Sequence, residues 1–312
     1  MNKFYKKLQK NDFLFFILKI PYIIFLVNKF TNYSIEKKRF FKKLGYNLNL
    51  RNPQSFNEKL VWKKIYDRNP LLSVTADKYR VRGHIKKILG KEKAKEILIP
   101  LLCVTDRPEA IPFEKLPSSF IIKANHTSGQ NVIVRGRKFD KAKIVKECRR
   151  LLKEPYGLEK LEWAYQKIKR KIVIEKLLQG EGGETPKDYK FHMFHGQCKM
   201  VQVNQGNPAD KEKRTLTLYT PEWKKIDVFW EFKPDNFVER PSNLNDMISL
   251  AEKLSEPFDY VRVDLYSINK IIYFLELTHY PTSGSAAVRP QSFDFELGKY
   301  WKIEPNYWKK NE

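Results

Sequence analysis

Cysteine is scarce in this sequence, and the shortage excludes several classes of protein. The 312 residues include three cysteines, Cys103, Cys148 and Cys198, which lie far apart and form no C-x-x-C pair. Such a set predicts a reducing compartment and no disulfide framework. A zinc site is not expected either, because His192 and His195 lie three apart in a strand-like segment, where their side chains face opposite sides.

The sequence also lacks an uninterrupted apolar run long enough to cross a membrane. Residues 13–27 are apolar, but Lys19 and Pro21 interrupt them, and the run is shorter than the ~20 residues of a transmembrane helix. No A-x-A site follows, so we expect no cleaved signal peptide. Residues 1–50 carry eleven basic and two acidic side chains, which favours helices lying on an anionic membrane face. Packing on the protein's own core and a true span are the alternatives.

Acidic residues are too few to balance the basic ones. The chain has 60 Lys and Arg against 36 Asp and Glu, a net charge of +24. This excess predicts acidic partners, namely nucleic acid, an anionic membrane surface, nucleotides or an acidic polymer. No nucleic acid is expected, because the sequence has no RNP, zinc-finger or helix-turn-helix signature. The hydrophobic content of 42% predicts a folded protein.

Residues 260–284 contain two strand patterns that carry acids in apolar surroundings. The segment YVRVDLY alternates apolar and polar residues, and after a turn near Asn269 and Lys270 the apolar run IIYFLEL is broken only by Glu276. Period-two alternation with a short polar turn predicts a β-hairpin. A carboxylate is costly in such a segment unless something compensates it, so Asp264 and Glu276 are expected to share one cleft.

The neighbours of these acids predict a magnesium and phosphate cradle. Arg262 lies two residues before Asp264 on the same strand face, and Thr278 lies two residues after Glu276. Mg²⁺ prefers hard oxygen ligands and shares them with substrate phosphates. The alternative is a salt-bridged strand pair without a ligand.

The segments before residue 260 contain further candidate site residues, namely several basic side chains and one more acid. Residues 52–90 are predicted to be helical, with one helix opened by a Ser55–Glu58 capping box and another opening near Thr75, which would place Lys78 and Arg82 on one basic helix face. Strand-like segments then bring in Lys123 before the loop ANHTSGQN, Glu175 in KIVIEKLL, and Lys190 in YKFHMF. A Ser/Gly loop after a lysine can turn its backbone N–H groups toward phosphate oxygens.

These pieces, in this order, resemble the ATP-grasp superfamily. More narrowly, seven segments between residues 52 and 297 resemble the teichuronopeptide-synthesis-type ATP-grasp family of bacterial capsule and cell-surface polysaccharide clusters: NPQSFNEKLVWKKIYDRNP, ADKYRVR, IIKANHTSG, IVIEKLL, DYKFHMFHG, YVRVDLY and FLELTHYPTSG. The resemblance implies an α+β ATP-grasp fold, in which two subdomains clasp ATP, with a basic helical region at the N-terminus.

The resemblance also implies roles for individual residues. The groups expected to hold the ATP phosphates are Lys78, Lys123, Lys190 and the loop at Ser128 and Gly129. Those expected at the adenine are Glu175 and the backbone of Lys176, Leu177 and Leu178, with Glu181 or Glu184 at the ribose. Those expected at the reacting centre are Asp264, Glu276 and Thr278 as Mg²⁺ ligands and Arg262 at the transferred phosphoryl group. Thr278 stands where many relatives have Asn, which weakens the third metal contact.

The function implied is ATP- and Mg²⁺-dependent ligation of a carboxylate to an amine through an acyl phosphate. The expected acceptor is a uronic acid of a surface polysaccharide or its precursor, the expected amine is an amino acid or amino alcohol, and the expected location is the cytoplasm, on the inner face of the membrane. A glycosyltransferase of the same pathway and a basic nucleic-acid-binding protein are the alternatives.

The chain is expected to divide into four parts. Residues 1–50 form the basic region, 51–116 a helical region, 117–180 the small ATP-grasp subdomain, and 181–312 the large catalytic subdomain with the tail. We also expect Asp264→Asn or Glu276→Gln to abolish turnover with little loss of fold, because either change would relieve repulsion between the two carboxylates.

Overall fold

The computed structural model describes residues 20–180, 182–206, 215–231, 234 and 237–311. Within these ranges the α-helices are α1 (residues 20–30), α2 (Ser34–Leu44), α3 (Phe56–Tyr66), α4 (Pro70–Thr75), α5 (Val81–Leu89), α6 (Lys91–Ile97), α7 (Lys141–Lys153), α8 (Trp163–Gln166), α9 (Leu244–Ser255) and α10 (Ser292–Lys299). The strands are β1 (Leu101–Thr105), β2 (Phe120–Ala124), β3 (Asn131–Val134), β4 (Ile172–Lys176), β5 (Asp188–Phe194), β6 (Gln197–Gln205), β7 (Thr215–Tyr219), β8 (Lys225–Ile226), β9 (Phe229–Trp230), β10 (Tyr260–Ile268), β11 (Ile271–Thr278) and β12 (Val288–Arg289).

Two antiparallel sheets organise the chain. The small sheet has the strand order β1-β4-β2-β3, and the large sheet has the order β11-β10-β5-β6-β7-β8. A short pair, β12 and β9, completes the strands in the described ranges. Because β1 pairs with β4, the small sheet begins before the boundary expected at residue 117.

The predicted hairpin is present as β10 and β11. Its turn residues, Asn269 and Lys270, both have positive φ, 49° and 63°, which matches the right-handed twist of the flanking strands. The cross-strand register places Asp264 opposite Glu276 and Arg262 opposite Thr278. Directly opposite residues share a sheet face, so the hairpin presents these polar side chains on one side.

The opposite face of the same strands is apolar. Val261, Val263, Leu265 and Leu277 belong to the main hydrophobic cluster, which packs against helix α9 through residues such as Met247. Period-two alternation thus sorts the strand into a dry face and a polar face. Burial of the apolar face fixes the register, because a slip of one residue would move every charge into the core.

Helix α3 begins as the sequence predicts. The Ser55 side chain accepts a hydrogen bond from the Glu58 N–H at 3.1 Å, and the Glu58 carboxylate accepts one from the Ser55 N–H at 3.0 Å. This reciprocal pair satisfies two N–H groups at the helix start. Phe56, the first residue of α3, then packs among the rings of Phe194 and Tyr260.

The predicted helix start near Thr75 is wrong. Thr75 ends α4, and the next helix, α5, begins six residues later at Val81. The Asp77 carboxylate accepts hydrogen bonds from the N–H groups of Tyr79 and Arg80 and holds the intervening residues in a turn. Lys78 therefore lies in a turn and not on a helix face with Arg82.

The N-terminal basic region packs partly on the core. Phe40 of α2 is 1% exposed and clusters with Val61 and Ile65 of α3, which agrees with the core-packing alternative for this helix. A buried ion pair joins Glu36 of α2 to Lys64 of α3 at 2.5 Å. Residues 1–19 of the apolar and basic segment lie outside the described ranges. In the part of the chain that is described, no helix is long and apolar enough to span a membrane.

Neighbouring phenylalanines in α2 provide a test of this packing. Phe40→Ala should lower the free energy of unfolding by about 3–5 kcal/mol, because it leaves a cavity in the core. Phe41 is 52% exposed, so Phe41→Ala should change stability by no more than ~0.5 kcal/mol. Urea unfolding of both variants measures the difference. Equal losses would mean that α2 does not belong to the core.

Candidate active site

Three charged residues meet on the polar face of the large sheet. Arg262 binds both oxygens of Asp264, with Nε to Oδ1 and Nη2 to Oδ2 each at 2.6 Å. Lys190 of β5, which lies opposite Asp264 in the register, donates to Asp264 Oδ2 at 2.8 Å. Asp264 is 1% exposed, so this carboxylate is buried and fully neutralised by two cations.

Asp188, at the start of β5, is a member of the cluster that the sequence analysis missed. Its Oδ2 lies 2.5 Å from Lys190 Nζ, while its buried Oδ1 has no hydrogen-bond partner among the described residues. Burial raises the pKa of Asp188 despite the nearby lysine. Burial would lower the pKa of Lys190, but Asp188 and Asp264 raise it above its usual value, so the ammonium stays charged.

Glu276 lies at the edge of the cluster. Its Oε1 accepts a hydrogen bond from Thr278 Oγ1 at 3.0 Å and lies 3.9 Å from Arg262 Nη2. Burial would raise the pKa of Glu276, but Lys78, Arg262 and Lys190 together lower it to about 2. The expected repulsion between Asp264 and Glu276 is therefore absent, because the Arg262 guanidinium lies between them.

Lys78 connects the two sheets. Its backbone N–H donates to the Asn125 carbonyl at 3.1 Å and its Nζ to the Thr127 carbonyl at 2.5 Å, both in the loop after β2. The same Nζ lies 3.5 Å from Glu276 Oε2 of β11. The ammonium is thus held between the small-sheet loop and the acids of the large sheet.

The predicted phosphate loop is anchored at one end and open at its tip. Asn125 makes three hydrogen bonds with the backbone of residues 169 and 171, which fixes the start of the loop. Ser128 and Gly129 follow and are exposed. Gly129 has φ +77°, a conformation that costs a side-chain-bearing residue energy, and nothing lies within 4 Å of the position of a Cβ there. This geometry leaves the tip room to contact a ligand.

Glu175, at the end of β4, is enclosed by two cations. Lys123 Nζ lies 2.9 Å from its Oε2, and Arg82 Nη1 lies 3.1 Å from its Oε1. The sequence pattern predicted Arg82 on a basic helix face with Lys78, but its side chain is only 15% exposed and contacts Glu175. The pairing leaves Glu175 with a partner, Arg82, even when Lys123 binds elsewhere.

The remaining predicted nucleotide contacts follow β4. The Lys176 N–H donates to the Pro100 carbonyl at 3.0 Å, while Leu177 and Leu178 are half-buried. Glu184 folds over the turn that starts at Gly180, whose N–H donates to the Glu184 carbonyl at 2.9 Å. Glu181, the other candidate for the ribose, lies outside the described residues. These assignments stay predictions.

The oxygens on the polar face fit a magnesium ion that shares its ligands with a nucleotide. Glu276 and Thr278 offer hard oxygen donors, and the unpartnered Oδ1 of Asp188 adds another. Both oxygens of Asp264 are bound by Arg262 and Lys190, so this carboxylate would have to exchange a cation for the metal. Across the described ranges, no three His, Cys, Asp or Glu side chains form a cluster that could hold a metal on their own. Mg²⁺ characteristically combines one or two carboxylates with substrate phosphates, which matches this incomplete set.

A comparison with protein-family models identifies the group to which the chain belongs. The model described as TupA-like ATPgrasp matches residues 58–302, most of the chain. The protein is a member of the TupA-like ATP-grasp family. This membership confirms the family proposed from the sequence and the α+β ATP-grasp fold, whose two antiparallel sheets are described above. No curated protein sequence matches the chain.

Several solved structures resemble this TupA-like protein in fold. D-alanine–D-alanine ligase from Bacillus anthracis, complexed with ATP, shares 18% identity over 67% of this chain and 55% of its own, with a TM-score of 0.38. The same enzyme from Helicobacter pylori shares 14% identity over 74% and 60%, with a TM-score of 0.42. Biotin carboxylase from Campylobacter jejuni shares 11% identity over 75% and 48%, with a TM-score of 0.43. The chain spans less than two thirds of each.

The two acids of the hairpin should differ in their effect on stability. Asp264→Asn leaves Lys190 and Arg262 without their shared buried partner, so we expect the free energy of unfolding to fall by about 2–4 kcal/mol. The Glu276 side chain is 30% exposed and lies farther from its cations, so Glu276→Gln should cost less, about 1–2 kcal/mol. Urea unfolding gives both values. A stable Asp264→Asn protein would show that its carboxylate is not needed to hold the cations.

Proposed function

We propose that this TupA-like protein is an ATP- and Mg²⁺-dependent carboxylate–amine ligase. The observation that carries the proposal is the convergence of Lys190, Arg262, Asp264, Glu276 and Thr278 on one sheet face, within reach of Lys78 from the phosphate-loop side. Cations and hard oxygens in this arrangement suit a transferring phosphoryl group, whose chemistry needs positioning and charge neutralisation more than a protein nucleophile.

In the first step, a carboxylate oxygen of the acceptor attacks the γ-phosphorus of ATP. The bond between the γ-phosphorus and the bridging oxygen breaks, ADP leaves with the electron pair, and an acyl phosphate forms. Lys78, Lys123 and Lys190 hold the phosphates, and Arg262 neutralises the charge of the transferred group. Glu175 orients the adenine. Asp264, Glu276 and Thr278 would hold Mg²⁺ together with the phosphates, and the ion would supply further charge neutralisation there.

In the second step, the neutral amine attacks the acyl carbon. The bond from that carbon to the phosphate oxygen breaks, inorganic phosphate leaves, and the amide nitrogen releases a proton to solvent. Arg262 remains beside the leaving phosphate, where its charge stabilises the departing group. The loop tip at Ser128 and Gly129 covers the phosphates and limits hydrolysis of the acyl phosphate by water.

We propose a uronic acid of a surface polysaccharide or its precursor as the acceptor, and an amino acid or amino alcohol as the amine. The net charge of +24 supports an acidic acceptor. The sequence resemblance to the teichuronopeptide-synthesis-type family supports a glycan rather than a peptide. We place the reaction in the cytoplasm, where ATP is abundant and where the free thiols of Cys103, Cys148 and Cys198 stay reduced.

Phosphate release tests the proposal directly. The purified chain is incubated with ATP, Mg²⁺ and a panel of uronic acids paired with amino acids and amino alcohols, and product masses are read by mass spectrometry. We expect phosphate release that requires both partners and a product lighter by one water than their sum. Glu276→Gln, which should fold normally, serves as the inactive control. Release of a nucleoside diphosphate from an added nucleotide-sugar, with no ATP-dependent amide product, would favour a glycosyltransferase instead.

Lys123→Ala should weaken the binding of ATP far more than that of adenosine. Loss of a charged contact to phosphate costs about 10- to 100-fold in affinity, while Arg82 still holds Glu175 at the adenine. Calorimetric titration with both ligands measures the two effects, and Lys115→Ala, at an exposed lysine, is the matched control. A similar loss for adenosine would place Lys123 outside the phosphate site.

A further inference from the structure

Helix α1 turns an apolar stripe toward solvent. Ile23, Leu26, Val27 and Phe30 are 46%, 49%, 37% and 81% exposed, and their spacing of i, i+3, i+4 and i+7 places them on one helix face. A surface helix of a globular protein normally hides such a stripe in the core. Here the stripe is the outer face, so a partner outside the core is needed to cover it.

The inward side of α1 fixes this orientation. Asn28, a polar residue, is fully buried, and its Oδ1 accepts a hydrogen bond from the N–H of Glu36 at 2.9 Å. Phe25 packs against the same cluster as Phe40. If the stripe faced inward, Phe25 would be exposed and the hydrogen bond from the Glu36 N–H to Asn28 Oδ1 would be lost. The outward stripe is therefore a property of the packing.

The exposed charged side chains of residues 20–50 are all basic, and one cation of α2, Arg39, pairs with Glu159 outside this segment. The one acid of this segment, Glu36, is buried against Lys64. The exposed lysines are Lys29, Lys38, Lys42 and Lys43, and Phe41 between them is 52% exposed. A second copy of this chain would bring a surface of the same sign, so charge repulsion opposes self-association through this face.

We propose that α1 and the exposed side of α2 dock on an anionic lipid surface. The stripe of Ile23, Leu26, Val27 and Phe30 enters the boundary between headgroups and acyl chains, and the lysines contact anionic headgroups. An apolar face flanked by lysines is what such a surface binds, because burial and electrostatic attraction add. The docking does not depend on the ligase chemistry.

The docking helix is tied to the catalytic side of the protein. Asn28 binds Glu36, Glu36 pairs with Lys64, and Lys64 Nζ donates to the carbonyl and hydroxyl of Ser283 at 2.8 and 3.0 Å. Ser283 lies in the turn Pro281–Gly284, which begins three residues after Thr278, the last residue of β11. Docking therefore fixes the direction in which the site faces the membrane. This consequence, unlike the docking, rests on the proposed function and suits an acceptor carried on a lipid.

Vesicle flotation of the full chain tests the docking without ATP. The wild type should float with phosphatidylglycerol–phosphatidylcholine vesicles at low salt, bind pure phosphatidylcholine vesicles weakly, and be partly released by high salt. Leu26→Ser with Phe30→Ser should weaken binding by about tenfold or more, since burial of one such side chain is worth about tenfold. The matched control is Ile133→Ser with Ile271→Ser, at side chains 52% and 51% exposed, which should bind as wild type.

Charge reversal separates the electrostatic part. Lys42→Glu with Lys43→Glu should weaken binding to the anionic vesicles by about tenfold or more, while Lys91→Glu with Lys95→Glu, on exposed lysines of α6, should change it little. Circular dichroism and thermal unfolding confirm that each variant is folded. Wild-type flotation by the stripe variant, or an equal loss in both lysine pairs, would overturn the proposal.

A fluorescence measurement identifies what covers the stripe. In the Phe30→Trp variant, the tryptophan fluorescence added by the substitution should shift to shorter wavelength when anionic vesicles are present. Brominated lipids in these vesicles should quench it. Emission that is blue without vesicles and unquenched by brominated lipid would show that another segment of the chain covers the face. A blue shift that grows with protein concentration, with a dimer seen by light scattering, would show a second copy there. Either result overturns membrane docking and leaves the ligase proposal untouched.

Discussion

The active site depends on the neutralisation of charges that are buried on one face of a β-sheet. A carboxylate such as Asp264 is stable there only because Arg262 and Lys190 bind it directly. The same requirement recurs at Glu175, which is held between Lys123 and Arg82. Each cation assigned to a phosphate thus has an acid as its partner before a nucleotide binds. A ligand that enters must exchange these partners, and it gains affinity only by offering a better one.

Much of the catalytic face could be predicted because it follows from alternation within single strands. A hairpin with acids two residues from Arg262 and Thr278 determines its own register, since the apolar residues between them must face the core. The helix cap formed by Ser55 and Glu58 could also be predicted from the sequence, because both partners lie within four residues. Local patterns of this kind need no information about the rest of the fold.

Features that join distant parts of the chain could not be predicted from such local patterns. The sequence around Lys78 has a helical pattern. In the structure, however, the Lys78 N–H group donates to the carbonyl of Asn125, and the Asp77 carboxylate accepts from Tyr79 and holds a turn instead of a helix. Arg82 meets Glu175 across 93 positions of sequence, so its role appears only once α5 lies beside the small sheet. The N-terminal segment combines a core helix with a helix that exposes apolar residues, and sequence periodicity does not say which face is inside.

The position of Lys78 has a mechanical consequence. Its backbone and side chain bind the loop after β2, while Ala76 and Val81 on either side of it pack in the main hydrophobic cluster with the large sheet. Its ammonium group also lies 3.5 Å from Glu276 of β11. If the two sheets separate, this ammonium must leave either the carbonyl of Thr127 or the carboxylate of Glu276. Any opening of the cleft therefore changes the surroundings of this one charged group.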